Sequence, residues 1–359
     1  MIFYTVLPFL TSLAIAVFSI PIIIRVADLK HLMDEPDSER KIHSKKTPTL
    51  GGIAIFAGTT FAFSSFSDFL RTDEIHFMIP ALVLLFFAGV KDDILLLAPW
   101  KKLSVQIGCA ALLTVLGNLR LTNLWGMFEI GAISEPTGIV LTIIIIVSLI
   151  NAFNLIDGAN GLAGGLGLIS SIFFGVWFAL TNSFSLSTLA FSLAGALLGF
   201  LFFNFNHAKI FMGDTGSMII GFIISILAIK FIEGNRMPGV ENSALYIKAA
   251  PGVAIAAVLI PLLDMTRVFI YRLFKKRNPF SADRNHIHHL LIDMGLSHVK
   301  VSVTLYAASL FFLGVALYLR NLRSMDLVII LVLLSSFLKL SVIASRRYCC
   351  SSHKNQLVR

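Results

Sequence analysis

The chain is 359 residues long, 57% hydrophobic and only 14% charged, with a formal charge of +9. Soluble domains carry about 25% charged residues, so no soluble fold of this length hides so much apolar surface, and lipid must be the solvent for much of it. The positive charge is segregated by loop, which is the pattern of a polytopic membrane protein and argues against a nucleic-acid partner.

Apolar runs of the ~20 residues that a bilayer crossing needs recur about eleven times. They lie near 2–24, 50–70, 76–90, 103–121, 138–156, 161–181, 184–204, 217–233, 249–272, 300–320 and 324–345. The expected fold is all-α: one transmembrane catalytic domain over residues 1–345, then a basic tail over 346–359. The first run is too long for a signal-peptide core, lacks a basic leader and is followed at once by Arg25, so it reads as a retained anchor. Lys and Arg concentrate after odd-numbered runs: Arg25 to Lys46 after the first, Lys101 and Lys102 ahead of the fourth, Arg272 to Arg284 after the ninth, and the tail. The positive-inside rule then sets the N-terminus outside and the C-terminus in the cytoplasm. Cys109, Cys349 and Cys350 have neither metal-ligand spacing nor a disulfide framework.

Five polar runs interrupt the apolar ones, and all fall on the side this topology calls cytoplasmic. In chain order they are Lys45 to Gly52 (KKTPTLGG), Lys91-Asp92-Asp93, Asn151 to Gly161 (NAFNLIDGANG), Asn204 to Ser217 (NFNHAKIFMGDTGS) and Ser281 to His289 (SADRNHIHH). Each precedes a span entering the membrane, so free N–H groups at the helix N-termini are expected to face a shared patch that attracts anions. A lone Asp-Asp pair is more often two solvated loop acids. Here Asp157 and Asp214 join Asp92 and Asp93, each in a Gly-rich turn, and four carboxylates at adjacent helix mouths repel unless a cation joins them. Hard oxygen ligands favour Mg²⁺, with Mn²⁺ as the alternative, and Mg²⁺ held by one or two carboxylates completes its shell with substrate phosphates. The pattern points to a pyrophosphate substrate and phosphoryl-type chemistry. His286, His288 and His289 lack the spacing of helical zinc ligands; Ile287, Leu290, Leu291 and Met294 make their segment an amphipathic helix expected to lie on the membrane. Gly161 and Gly165 read as helix packing, and Asp264 with Arg267 as a self-satisfying pair.

At these residues the chain resembles the polyprenyl-phosphate N-acetylhexosamine-1-phosphate transferases, with motifs in that family's order over essentially the whole chain. The strings NAFNLIDGANGL, FMGDTGS and PFSADRNHIHHLL are most similar to the branch using UDP-N-acetylglucosamine; the peptidoglycan branch usually has Pro where this chain has His286. The resemblance implies catalytic roles for Asp92, Asp93, Asp157, His288 and His289, with Asp92 as base on the lipid phosphate. It implies substrate contacts from Lys45, Asn154, Asn204, His286 and Arg284, and Mg²⁺ ligation by Asp214 and Asp93. The implied partners are a UDP-sugar, a polyprenyl phosphate and the bacterial inner membrane, with a homodimer as a compatible assembly. Rival readings are another UDP-N-acetylhexosamine as donor, a cation-coupled transporter, or a scaffold for polysaccharide assembly. Transporters tend to carry their ionisable residues near the midplane on broken helices, whereas these acids are expected at span ends.

Overall fold

The structure, a computed structural model, describes residues 2–32, 47–67, 76–276 and 286–337. Within them the chain is all-helical, with an isolated bridge of extended backbone between Asn123 and Ala132. The helices are α1 (Ile2–Leu29), α2 (Gly51–Phe66), α3 (Met78–Leu95), α4 (Pro99–Ala111, running on through a π turn at Leu112–Leu116), α5 (Glu135–Ile156), α6 (Leu162–Leu180) and α7 (Phe184–Asn204). They continue as α8 (Gly213–Gly234), the short α9 (Pro238–Glu241), α10 (Ala250–Ala257), α11 (Leu259–Phe274), α12 (Ile287–Asp293), α13 (His298–Tyr318) and α14 (Ser324–Phe337).

The molecule is a multi-pass membrane protein. Among the described residues six helices are long and apolar enough to cross a bilayer: α1, α5, α6, α7, α8 and α13, with α10 and α11 a seventh if taken as one bent span. The other expected spans are helical but fall short. Helix α2 has 16 residues, about 24 Å at 1.5 Å per residue against a hydrocarbon core of ~30 Å. Helix α3 carries three charged residues in its last five, α4 has 13 residues before its π turn, and the run 324–345 leaves the described residues after Phe337.

Helix α8 is the centre of the bundle, almost wholly buried and packed on α2, α3, α5, α6, α7 and α10, whereas α1 leaves most of its surface outside the protein. An apolar face all round is what a central helix needs, and small residues let its neighbours close in. A Cβ at Gly221 would lie 2.5 Å from the Ile150 Cα of α5.

The run 249–272, expected as one span, is broken in the structure: α10 and α11 meet at an angle of 81°. Pro261 is the physical cause. It has no N–H to give Ala257 O, and its ring clashes with a carbonyl four residues back. Ser170 Oγ of α6 takes the vacant position, donating to Ala257 O at 2.7 Å, so the broken turn leaves no orphaned acceptor in an apolar surround.

Candidate active site

Helices α3, α5 and α7 end, and α2, α4, α6 and α8 begin, at the same end of the bundle, which brings four of the polar runs together. Asp92 and Asp93 occupy the last turn of α3, where the helix dipole already carries negative charge. Each therefore needs a donor from elsewhere. Asp93 turns to the first turn of α8: its Oδ1 accepts the Asp214 N–H at 2.6 Å, and its Oδ2 accepts the Thr215 N–H at 3.2 Å and the Thr215 hydroxyl at 2.5 Å.

Gly213 makes this possible. It sits at φ +72°, and a Cβ there would lie 2.1 Å from Thr49 O and 2.6 Å from Asp93 Oδ1. Gly213→Ala is expected to combine left-handed strain with that clash, costing at least about 2 kcal/mol of stability. A drop in the thermal midpoint of detergent-purified protein, with loss of turnover, is the measurement; an unchanged midpoint contradicts it.

The expectation of free helix N-termini is corrected here. The Gly51 and Gly52 N–H groups of α2 donate to Phe211 O (2.9 Å) and Met212 O (2.8 Å), and Phe211 N–H returns a bond to Pro48 O (2.8 Å). The Gly161 N–H ahead of α6 donates to Asn204 Oδ1 at 2.6 Å. These donors are spent on the protein's own acceptors, as buried backbone groups generally must be, and do not contribute to an anion-attracting patch.

On its other side Asp92 accepts the Leu97 N–H at 2.5 Å and the Lys102 ammonium at 3.0 Å. Lys102 is the hub of the site. Its Nζ also donates to Asn154 Oδ1 at 3.3 Å and to Asp214 Oδ2. Asn154 closes the ring by donating to Asp214 Oδ1 and to Ser217 Oγ, the latter at 2.9 Å. Asp157 follows α5 directly and lies beside this ring. Burial pushes its carboxyl up to about 7, helped by the charges of Asp214 and Asp93. Asn204 braces the frame: with Oδ1 on Gly161, its Nδ2 donates to Ile210 O at 2.8 Å, so both ends of its amide are taken.

The histidine segment reaches the same place through Asp264. Asp264 Oδ2 meets His286 Nδ1 at 2.8 Å, while its Oδ1 accepts the Ile287 N–H at 2.7 Å and Arg267 at 3.2 Å. The expected Asp264–Arg267 pair is there, but its larger role is to hold the start of α12. The apolar face of α12 does not lie on the membrane as expected: Leu291 is buried, and Ile287, Ile292 and Met294 pack on the protein core. His288 is buried against the 157–161 turn, where a Cβ at Gly158 would lie 2.1 Å from its Nε2. Burial holds the His288 pKa down to about 3, so its ring is neutral, and its buried Nδ1 has no hydrogen-bond partner among the described residues. His289 is half-buried with its ring 4.3 Å from that of His288. Gly158→Ala is expected to displace His288 and lower kcat/KM at least about tenfold, as a misplacement of about 1 Å does, with little change in thermal midpoint. Unaltered kinetics contradict it.

Lys45 and Arg284 lie outside the described residues. Gly161 and Gly165 pack as expected, Gly165 beneath the Tyr306 ring and Gly161 accepting the Tyr306 hydroxyl at its carbonyl. Lys102, Thr215, Ser217 and Asp264 are site residues that the motifs alone did not single out.

The chain is similar over most of its length to proteins of known naming. The family model for glycosyl transferase family 4 matches residues 75–232. A Bacillus subtilis (strain 168) protein named "Probable undecaprenyl-phosphate N-acetylglucosaminyl 1-phosphate transferase" is 32% identical over 88% of this chain and 85% of its own. Proteins named undecaprenyl-phosphate alpha-N-acetylglucosaminyl 1-phosphate transferase from Escherichia coli (strain K12) and Salmonella typhi are 31% and 33% identical, over 88% and 86% of this chain and 84% and 82% of theirs.

Proposed function

The chain belongs to glycosyl transferase family 4, and from that premise we propose that it transfers N-acetylglucosamine 1-phosphate from UDP-N-acetylglucosamine to undecaprenyl phosphate, releasing UMP. The observation that carries this reading is the interlocked ring of Asp92, Lys102, Asn154 and Asp214 beside Asp157 at one end of an apolar bundle. A lipid phosphate held in the bilayer and a soluble nucleotide can both reach such a place.

In this reading an oxygen of the lipid phosphate attacks the β-phosphorus. A new P–O bond forms there, the bond from that phosphorus to the bridging oxygen breaks, and UMP leaves with the bridging oxygen. Asp92 takes the remaining proton of the lipid phosphate on Oδ1, the oxygen it does not turn to the shared cation. Lys102, displaced from the carboxylate oxygens, is held near the pyrophosphate oxygens as a cation, Asn154 and Asp157 orient the nucleotide-sugar, and Asp264 with His286 holds the His288–His289 turn over it. One pyrophosphate linkage replaces another, so the protein's contribution is positioning and charge neutralisation.

Of the two expected Mg²⁺ ligands we keep Asp214 and revise the other: both Asp93 oxygens accept from Asp214 and Thr215 as the cap of α8, so we assign Mg²⁺ to Asp214 and Asp92. What supports the fit is that Asp214 and Asp92 already turn one oxygen each to a shared cation, the Lys102 ammonium. Among the described residues no three His, Cys, Asp or Glu side chains form a ready cage; this agrees with an ion that completes its shell from substrate phosphates and water. Bound there, it would neutralise charge on the pyrophosphate oxygens. Burial is the larger cause of the raised Asp157 pKa, and a cation in the cluster offsets the smaller part, the charges of Asp214 and Asp93, so Mg²⁺ binding near pH 7 is expected to release a fraction of a proton and near pH 8.5 almost none. Calorimetry in two buffers of different ionisation enthalpy measures this. Release undiminished in Asp157→Asn contradicts the assignment.

We further propose eleven crossings of the bacterial inner membrane and a place at the first membrane step of a cell-surface polysaccharide; the Lys and Arg distribution supports a carboxylate end in the cytoplasm and an N-terminus outside. The reading does not need a homodimer. The break between α10 and α11 is a feature a transporter would share, but the acid nearest it, Asp264, serves the histidine turn. The test is purified protein with undecaprenyl phosphate and a panel of UDP-sugars. UMP release that needs the lipid and Mg²⁺ and prefers UDP-N-acetylglucosamine is expected; cation flux in proteoliposomes without UMP release overturns the reading.

A further inference from the structure

At the end of the bundle opposite the carboxylates the chain forms a half-open cavity of 500 Å³, between the last turns of α8, the start of α7 and the segment entering α5. Helix α8 joins the two regions: Asp214 sits in its first turn and Lys230 and Glu233 near its end, about 24 Å away along the axis. We propose that this cavity is a phosphate-binding site, taking the phosphate of a membrane lipid headgroup or free phosphate. It goes beyond the transfer reaction and does not depend on it.

The charge of the wall carries the argument. Arg120 and Lys230 line the cavity, with Glu233 as its one acid. Glu233 accepts the Thr122 N–H at 2.9 Å on Oε1 and the Thr122 hydroxyl at 2.6 Å on Oε2, and its charge also acts on Lys230 one turn away, which leaves the two cations of the wall one positive charge in excess. Arg120 donates through Nε to Asn118 Oδ1 at 3.1 Å, and its other contact, to Glu135, is loose at 3.8 Å. A guanidinium has five N–H donors in a rigid fork suited to phosphate, and most of this fork is still to be used. Lys230 stands in an otherwise apolar stretch of α8, IISILAIKFI. Ionisable residues in membrane-embedded helices are costly and usually face a cavity with a function.

The remaining wall agrees with the same ligand. Ser183, Ser185 and Asn182 add hydroxyl and amide donors, and the first turn of α7 opens here without a side-chain cap. Phe184 and Leu186 make one side apolar. A volume of 500 Å³ exceeds what inorganic phosphate fills and suits a phosphate with a glycerol and the first methylenes attached.

The experiment uses the full chain, purified in detergent with EDTA present so that metal-held phosphate at the carboxylate end does not contribute. The thermal midpoint is followed on titration with dihexanoyl phosphatidic acid, with inorganic phosphate, and with dihexanoyl glycerol as the uncharged counterpart. Saturable stabilisation by phosphatidic acid but not by dihexanoyl glycerol is expected, and stabilisation by inorganic phosphate as well identifies the free anion as a sufficient ligand. Arg120→Gln and Lys230→Met are each expected to weaken the apparent affinity at least about tenfold, the worth of one charge-assisted hydrogen bond. Arg120→Lys, which keeps the charge, is expected to lose less. No saturable shift with either phosphate probe, or equal shifts in wild type and both neutral variants, overturns the site.

Discussion

Asp214→Asn is expected to lower kcat by about 10³-fold, roughly 4 kcal/mol of transition-state stabilisation, while the protein still folds. The two shapes are nearly identical, so the loss is electrostatic. Asp214 offers two acceptors and both are used: Oδ1 receives the Asn154 amide and Oδ2 the Lys102 ammonium. An asparagine amide has one acceptor, so one of those donors would face an NH₂ group. The negative charge that Asp214 and Asp92 share across Lys102 falls by half, and with it the attraction for Mg²⁺. Burial of the surrounding α8 core is untouched. UMP release with Mg²⁺ varied over a wide range, beside a thermal melt, is the measurement. Turnover within tenfold of wild type at saturating Mg²⁺ would sink both the metal assignment and the central role of this carboxylate.

The bundle was legible because hydropathy alone decides where a chain crosses lipid. The runs 138–156, 161–181 and 184–204 correspond closely to α5, α6 and α7. Helix α8 begins four residues before the expected 217. The stretch Gly213 to Gly216 reads locally as a polar turn, and it is helical because Asp93, more than a hundred residues earlier, accepts its N–H groups. Lys102 was invisible as a site residue because nothing in Lys101-Lys102 tells the two apart; only the packing of α4 on α3 and α5 turns one to solvent and the other to Asp92 and Asp214. Asp264 was hidden by a local partner good enough to explain it, Arg267, while its decisive contacts to His286 and Ile287 lie 22 and 23 residues on. The bend at Val258 had a local signal in Pro261, which a window of mean apolarity averages away. Patterns of type and spacing were readable, and pairings across distant helices were not.

Those cross-helix pairings make Lys102→Met the more discriminating variant. Lys102 stands where a metal would stand, between Asp92 and Asp214, so the ammonium and Mg²⁺ compete for the same oxygens. Removing the ammonium leaves two carboxylates facing each other, and breaking such a buried pair costs about 3–5 kcal/mol of stability when nothing replaces the cation. Mg²⁺ can replace it. The melt of Lys102→Met is therefore expected to be depressed in EDTA and largely restored by Mg²⁺, with a half-saturating concentration below that of wild type. Catalysis is expected to move the other way. Once Mg²⁺ takes the carboxylates, the displaced ammonium in wild type is held near the pyrophosphate oxygens, and its loss is worth about 10²–10³-fold in kcat. Tighter Mg²⁺ with slower turnover identifies Lys102 as a cation that yields its place and then acts on substrate. Unchanged Mg²⁺ affinity with slower turnover leaves only the second role, and normal turnover removes both.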